Sequence, residues 1–117
     1  MKAVFKMDFD CGRMGELTGV FVADKDAIKW LIENKGEIYF GEVLGKHSEI
    51  YGPIDEADIK LVSDAPEVVA VIEKHELSSG YNPLNYSFLN QEDFKDDLGE
   101  KFEYDLSALE VYSLLHP

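Results

Sequence analysis

KAVFKMDFDCGRMGELTGVFVAD, residues 2–24, decides the fold class. In its first third, Ala3, Phe5, Met7 and Phe9 alternate with Lys2, Val4, Lys6 and Asp8. That period of two puts apolar side chains on one face of a half-buried strand. Asp10 to Gly15 supplies turn formers, and Leu17 to Ala23 then runs almost continuously apolar, as a central strand covered on both faces does. The stretch predicts two strands joined as a hairpin.

Further along, Asp24 is placed to cap a helix over Lys25–Lys35, because its carboxylate can accept from an orphan N–H at the positive helix end. Ala27, Ile28, Leu31 and Ile32 share one stripe, and Lys35-Gly36 predicts the stop, with the glycine tolerating positive φ. Glu37–Leu44 and His47–Tyr51 read as strands joined by a Gly45-Lys46 turn and ended by Gly52-Pro53. A short strand over Asp58–Val62 would turn Ile59 and Leu61 inward. Asp64-Ala65-Pro66-Glu67 has capping-box spacing, and the helix it starts, through about Leu77, is expected to bury Val68, Val69, Val71, Ile72 and His75. Ser78–Asn85 is rich in turn formers, and Tyr86–Leu89 predicts an edge strand. From Asn90 onward the pattern is acidic and helical in two pieces, the first with Phe94 and Leu98 on one stripe before Gly99, the second capped by Asp105 and carrying Leu106, Leu109, Tyr112 and Ser113.

Together these elements predict an α+β fold: one domain over residues 1–117, a mainly antiparallel sheet of about five strands, and two to four helices packed mostly on one face. An apolar share of 45% in 117 residues suits one hydrophobic core. A single cysteine, Cys11, cannot form an internal disulfide, and Met1 to Lys6 breaks its apolar residues with charges as a signal-peptide core does not. No apolar run approaches the roughly 20 residues that span a bilayer. The expectation is a cytoplasmic protein without membrane contact.

Charge is divided unevenly. Residues 1–50 hold 9 acids against 7 bases (net −2), while residues 51–117 hold 15 against 4 (net −11). Such an excess repels nucleic-acid and membrane phosphates and attracts basic protein surfaces.

Chemistry-bearing patterns are sparse. The densest polar and aromatic cluster is Tyr39, Glu42, Lys46, His47, Glu49 and Tyr51 in the predicted 37–51 hairpin, and a pocket would be built from Tyr39, Glu42, His47 and Glu49 with Tyr81. An imidazole beside a carboxylate is the minimum for proton transfer or half a zinc site, but no third group accompanies it, and the same charges serve to keep a hairpin edge soluble. Gly12-Arg13-Met14-Gly15 has the GxxG spacing of RNA-clamping loops yet lies between strands, where a plain turn is expected. Cys11 has no sequence-near histidine to activate it. Catalytic residues, metal ligands and cofactors are therefore not assigned. Gly80 to Tyr86, with Tyr81 and Tyr86 around Asn82-Pro83, reads as a recognition loop or as a turn whose rings close the core. The acids Glu92, Asp93, Asp96, Asp97, Glu100 and Glu103 lack the ligand alternation of a calcium loop.

Three functions follow as expectations. The first is an acidic protein-binding module, such as an inhibitor of immunity-protein or nucleic-acid-mimic type. It would dock Glu92, Asp93, Asp96, Asp97, Glu100 and Glu103 on a basic surface, with Tyr81 and Tyr86 as anchors. Duplex DNA carries a charge every ~1.7 Å of axis, a density that carboxylates along a helix can approximate. The second is a small-molecule binder or enzyme built on Tyr39, Glu42, His47, Glu49 and Tyr81. The third is an accessory subunit docking through Leu106, Leu109, Tyr112 and Leu115.

Overall fold

Alternation in residues 2–24 becomes a long hairpin. In a computed structural model, which describes residues 1–12, 15–43, 49–103 and 106–117, β1 (Lys2–Asp10) pairs antiparallel with β2 (Glu16–Asp24) in unbroken register. Ala3 faces Ala23, Phe5 faces Phe21, and Phe9 faces Leu17, so the apolar sets of both strands share one side. Phe5 and Phe21 stack at 6.0 Å. Met7 faces Gly19, and that glycine has a structural reason: a Cβ there would overlap the Tyr81 carbonyl. The missing side chain lets β6 (Ser79–Gly80) close on β2.

The α+β class and the antiparallel pairing stand, but the strands divide between two sheets instead of one sheet of about five. One runs β5-β1-β2-β6, with β5 at Ile59–Ser63. The other runs β4-β3-β7, with β3 at Glu37–Gly41, β4 at Ile50–Pro53 and β7 at Ser87–Phe88. They share one core. Phe9, at the end of β1, lies 5.8 Å from the Phe40 ring, and a Cβ on Gly52 of β4 would press on Phe9 at 3.2 Å. Strand β4 starts and ends later than expected, and Gly52-Pro53 closes the strand instead of stopping the chain before it. The Gly45-Lys46 turn and His47 fall outside the described residues.

Helix α1 (Lys25–Glu33) starts as its sequence predicts: Asp24 Oδ1 accepts from the Asp26 N–H at 2.8 Å. It buries Ala27, Ile28 and Leu31 in the main core. Its end differs in detail. The Gly36 N–H donates to the Leu31 carbonyl at 2.8 Å and the Lys35 N–H to Ile32 at 3.0 Å, so Lys35, at φ 51°, holds the left-handed position expected of Gly36. Gly36 is needed for room, since its Cβ would overlap the Leu31 side chain.

Helix α2 (Pro66–Lys74) departs furthest from expectation. Asp64 does not cap it; the N-cap residue, Ala65, has no side-chain bond, and Asp64 pairs with Lys25 at 3.2 Å. Of the apolar residues expected to be buried, Val69 is, at 6% exposed, and Ile72 is half-buried. Val68, Val71 and His75 are exposed. Val4 explains the difference. It points to the opposite face of β1 from Phe5, is 2% exposed, and with Val69 stands apart from the main core. Helix α2 covers that reverse face at one narrow place. Leu61, expected inward, is 49% exposed at the open edge of β5.

Helix α3 (Lys95–Leu98) is a single turn, and α4 (Ala108–Leu115) buries Ala108 and Val111. Asp105 lies outside the described residues, and α4 is capped by Ser107 and Glu110, each side chain bonded to the other's backbone N–H. Its expected stripe is split: Leu106 is buried, Tyr112 and Leu115 are half-buried, and Leu109 is exposed. Among the described residues no helix is long and apolar enough to cross a membrane.

Candidate docking surface

Beyond β7 the chain coils through a 3-10 stretch (Leu89–Phe94), α3 and a second 3-10 turn (Gly99–Lys101). Gly99, at φ 58°, breaks any longer helix. The acidic run is therefore a folded arm and not a straight rod. Its inward residues hold it down. Gln91 and Leu98 are buried, Phe94 packs 5.7 Å from the Trp30 ring and 6.2 Å from Phe88, and Asn90 Nδ2 donates to the Lys35 carbonyl at 3.2 Å. Trp30 on α1 is the hub, with Phe88 at 5.2 Å and Tyr112 at 5.6 Å.

Apart from Leu89, which is exposed at the start of the arm, its outward side chains are acidic or polar. Glu92, Asp93, Asp96, Asp97, Glu100 and Glu103 are all exposed. Residues 89–103 hold these six acids against two lysines, net −4. Lys95 is turned to the Phe102 ring, 5.5 Å from its centroid. Among the described residues the side-chain ion pairs are Lys2–Glu73, Lys25–Asp64 and Lys29–Glu33, none of them in the arm.

Tyr81 and Tyr86 are placed elsewhere. Both are half-buried and pack on Phe40, at 6.3 and 4.9 Å, and on each other at 6.0 Å. Burial, then the neighbouring Tyr81, pushes the Tyr86 hydroxyl up. These rings close the core where β6 leads into β7. A cleft of about 560 Å³ lies beside them, lined by Val20, Val22, Ser79, Asn82, Asn85 and Tyr86.

Of the residues considered for a ligand pocket, Tyr39 and Glu49 are brought together. A hydrogen bond to Glu49 raises the Tyr39 pKa, with smaller contributions from burial and the Glu49 and Glu42 charges. Tyr81 packs on Phe40, which alternates with Tyr39 along β3, so Tyr81 lies on the opposite side of the sheet. Glu42 is exposed. Cys11 donates to the Phe9 carbonyl at 3.6 Å, and burial, then the Asp10 charge, pushes its thiol up, opposite to what a nucleophile needs. Among the described residues no group of three or more His, Cys, Asp or Glu side chains could hold a metal ion.

Sequence reasoning passed over one feature. A cleft of about 670 Å³ opens between α1, the arm and the end of α4, lined by Trp30, Asn34, Phe94, Asp97, Leu114 and His116 among others. Its walls come from three distant segments, and the only local hint was one tryptophan on the flank of an otherwise aliphatic helix stripe. No protein-family model, curated protein or solved structure matches this chain, so what the surface does has to follow from its own geometry.

Proposed function

We propose that the chain is a protein-binding module whose acidic arm docks on a basic protein surface, of the kind that otherwise holds nucleic-acid phosphate. The observation that carries this is the arm itself: six exposed carboxylates without a salt bridge among the described residues, on a segment pinned by Phe94, Leu98 and Trp30. A solubilising tail needs charge but no anchoring. Anchoring removes the ordering cost that a flexible acidic tail incurs on binding. Binding such a target would occlude it, which is inhibition by occupancy. Because exposed charges steer encounter, association should be fast and weaken with salt.

The test is capture from native lysate at low and high salt, with the wild-type chain and an Asp93→Lys, Asp96→Lys variant as baits. A basic protein held by the wild type, released as salt rises and lost by the variant supports docking through the arm. Equal retention by both baits, with circular dichroism showing both folded, sinks it.

A further inference from the structure

We propose that the cleft of Trp30, Phe94 and Asp97 receives one arginine side chain of the partner, the carboxylate taking the guanidinium fork and the rings its planar face. The inference rests on the docking function above and names the contact that would fix its register.

Three features select this occupant. The first is shape and surface: a concavity of about 670 Å³ walled by two aromatic rings and Leu114, beside an arm of net −4. An aromatic wall attracts a cation through its ring quadrupole, and the planar guanidinium stacks on it better than a compact ammonium. The second is the free carboxylate. Asp97 is exposed, and among the described residues it has no salt bridge.

The third is the polar inventory. Asn34 Nδ2 donates to the Trp30 carbonyl at 2.8 Å, and His116 Nδ1 donates to the Tyr112 carbonyl at 3.0 Å, its ring stacked 4.4 Å from Tyr112. With those bonds made, the acceptors left over are the Asp97 carboxylate, Asn34 Oδ1 and, on the neutral ring, His116 Nε2, beside the second Asn34 Nδ2 hydrogen and the Trp30 indole N–H; the charged group among them is the Asp97 carboxylate. Guanidinium has five N–H donors and no acceptor, so it matches such a set as few other groups do. A carboxylate ligand or a phosphate would meet like charge here.

Trp30 is the only tryptophan of the chain and lines this cleft, so its emission reports the surroundings of that one side chain. Deca-arginine and deca-lysine peptides, which do not emit, serve as probes. Binding is followed twice, by Trp30 emission and by the anisotropy of a fluorescein-labelled peptide, for wild type, Asp97→Asn and Asp96→Asn.

The expected result is a saturable emission change with deca-arginine, a smaller one with deca-lysine, and about tenfold weaker binding by Asp97→Asn against about twofold or less by Asp96→Asn. Anisotropy that reports binding while Trp30 emission stays constant, or equal losses in the two variants, overturns the cleft and leaves the arm standing as a diffuse docking surface. Equal emission changes with both peptides overturn the choice of arginine. No binding of either peptide by either readout overturns the cleft and the basic partner together.

Discussion

Lys35 and Glu76 end their helices in the left-handed region, both at φ 51°, where a side chain is strained and glycine is not. Each closes the same bonding pattern; after α2 the Leu77 N–H reaches the Ile72 carbonyl at 3.0 Å. Glu76→Gly is therefore expected to raise stability by about 0.5–1 kcal/mol, read from urea melts, because it relieves strain and loses no buried contact. A fall in the urea midpoint would mean that the Glu76 side chain has a role of its own. Glu16 offers a pH-dependent case. A hydrogen bond with Asp8, then the Asp8 charge, burial and Asp10, raise its pKa above 4.5. The native state holds that proton more tightly than the unfolded chain does. The contribution is complete below the ordinary Glu range and lost as pH rises through the raised value. Glu16→Gln should thus gain stability relative to wild type between about pH 4 and about pH 7, measured by melts across that range. That the α1 stop lay at Lys35-Gly36 was legible in the sequence. Which of the two took positive φ was not, because it depends on the crowding of Leu31 over Gly36.

Among the elements, those whose patterns are local were legible and those that depend on a distant partner were not. The hairpin and α1 carry their own alternation, stripe and cap. Strands β6 and β7 have two residues each, too short for any period, and exist because Gly19 admits β6 and Ile38 pairs with Phe88. Helix α2 showed an apolar stripe in sequence, but Val4 gives it one narrow seat, and the stripe does not say how wide the seat is. Strand β5 shows an edge protected from pairing: Val62 is the extra residue where the register with β1 shifts between Val4 and Phe5, and Lys60 stands beside it. In the arm, exposure of the acids was legible from their charge, whereas the cleft was not, since it needs Trp30, Phe94 and Leu114 brought together. Phe94→Ala tests the arm as an element. It is expected to cost about 1.5–2.5 kcal/mol, roughly half of a fully buried truncation, and to accelerate amide exchange across 89–101 more than in α1. Uniform acceleration throughout would show that the arm does not open separately.

For the whole molecule, a net charge of −13 opposes its own compactness. Raising NaCl from about 0.01 M to about 1 M shortens the Debye length from about 30 Å to about 3 Å. The same change should raise the Tm of the free chain while loosening its complex with a basic partner, and calorimetry of the chain alone separates the two effects. A Tm that falls with salt would mean that attractive pairs outweigh repulsion in the free state. The two sheets are stitched by residues 79–88, which leave β2 at the Gly19–Gly80 contact and rejoin β3 at Phe88. At both glycines a Cβ would strike backbone: the Tyr81 carbonyl from Gly19, the Thr18 carbonyl from Gly80. A clash with a side chain can be undone by trimming that side chain; a clash with a peptide group leaves nothing to trim. Across descendants of this chain the two positions should therefore drift least and admit no second-site suppressor, so that any lineage abandoning one of them must rebuild the junction by changing the length of the 79–88 segment.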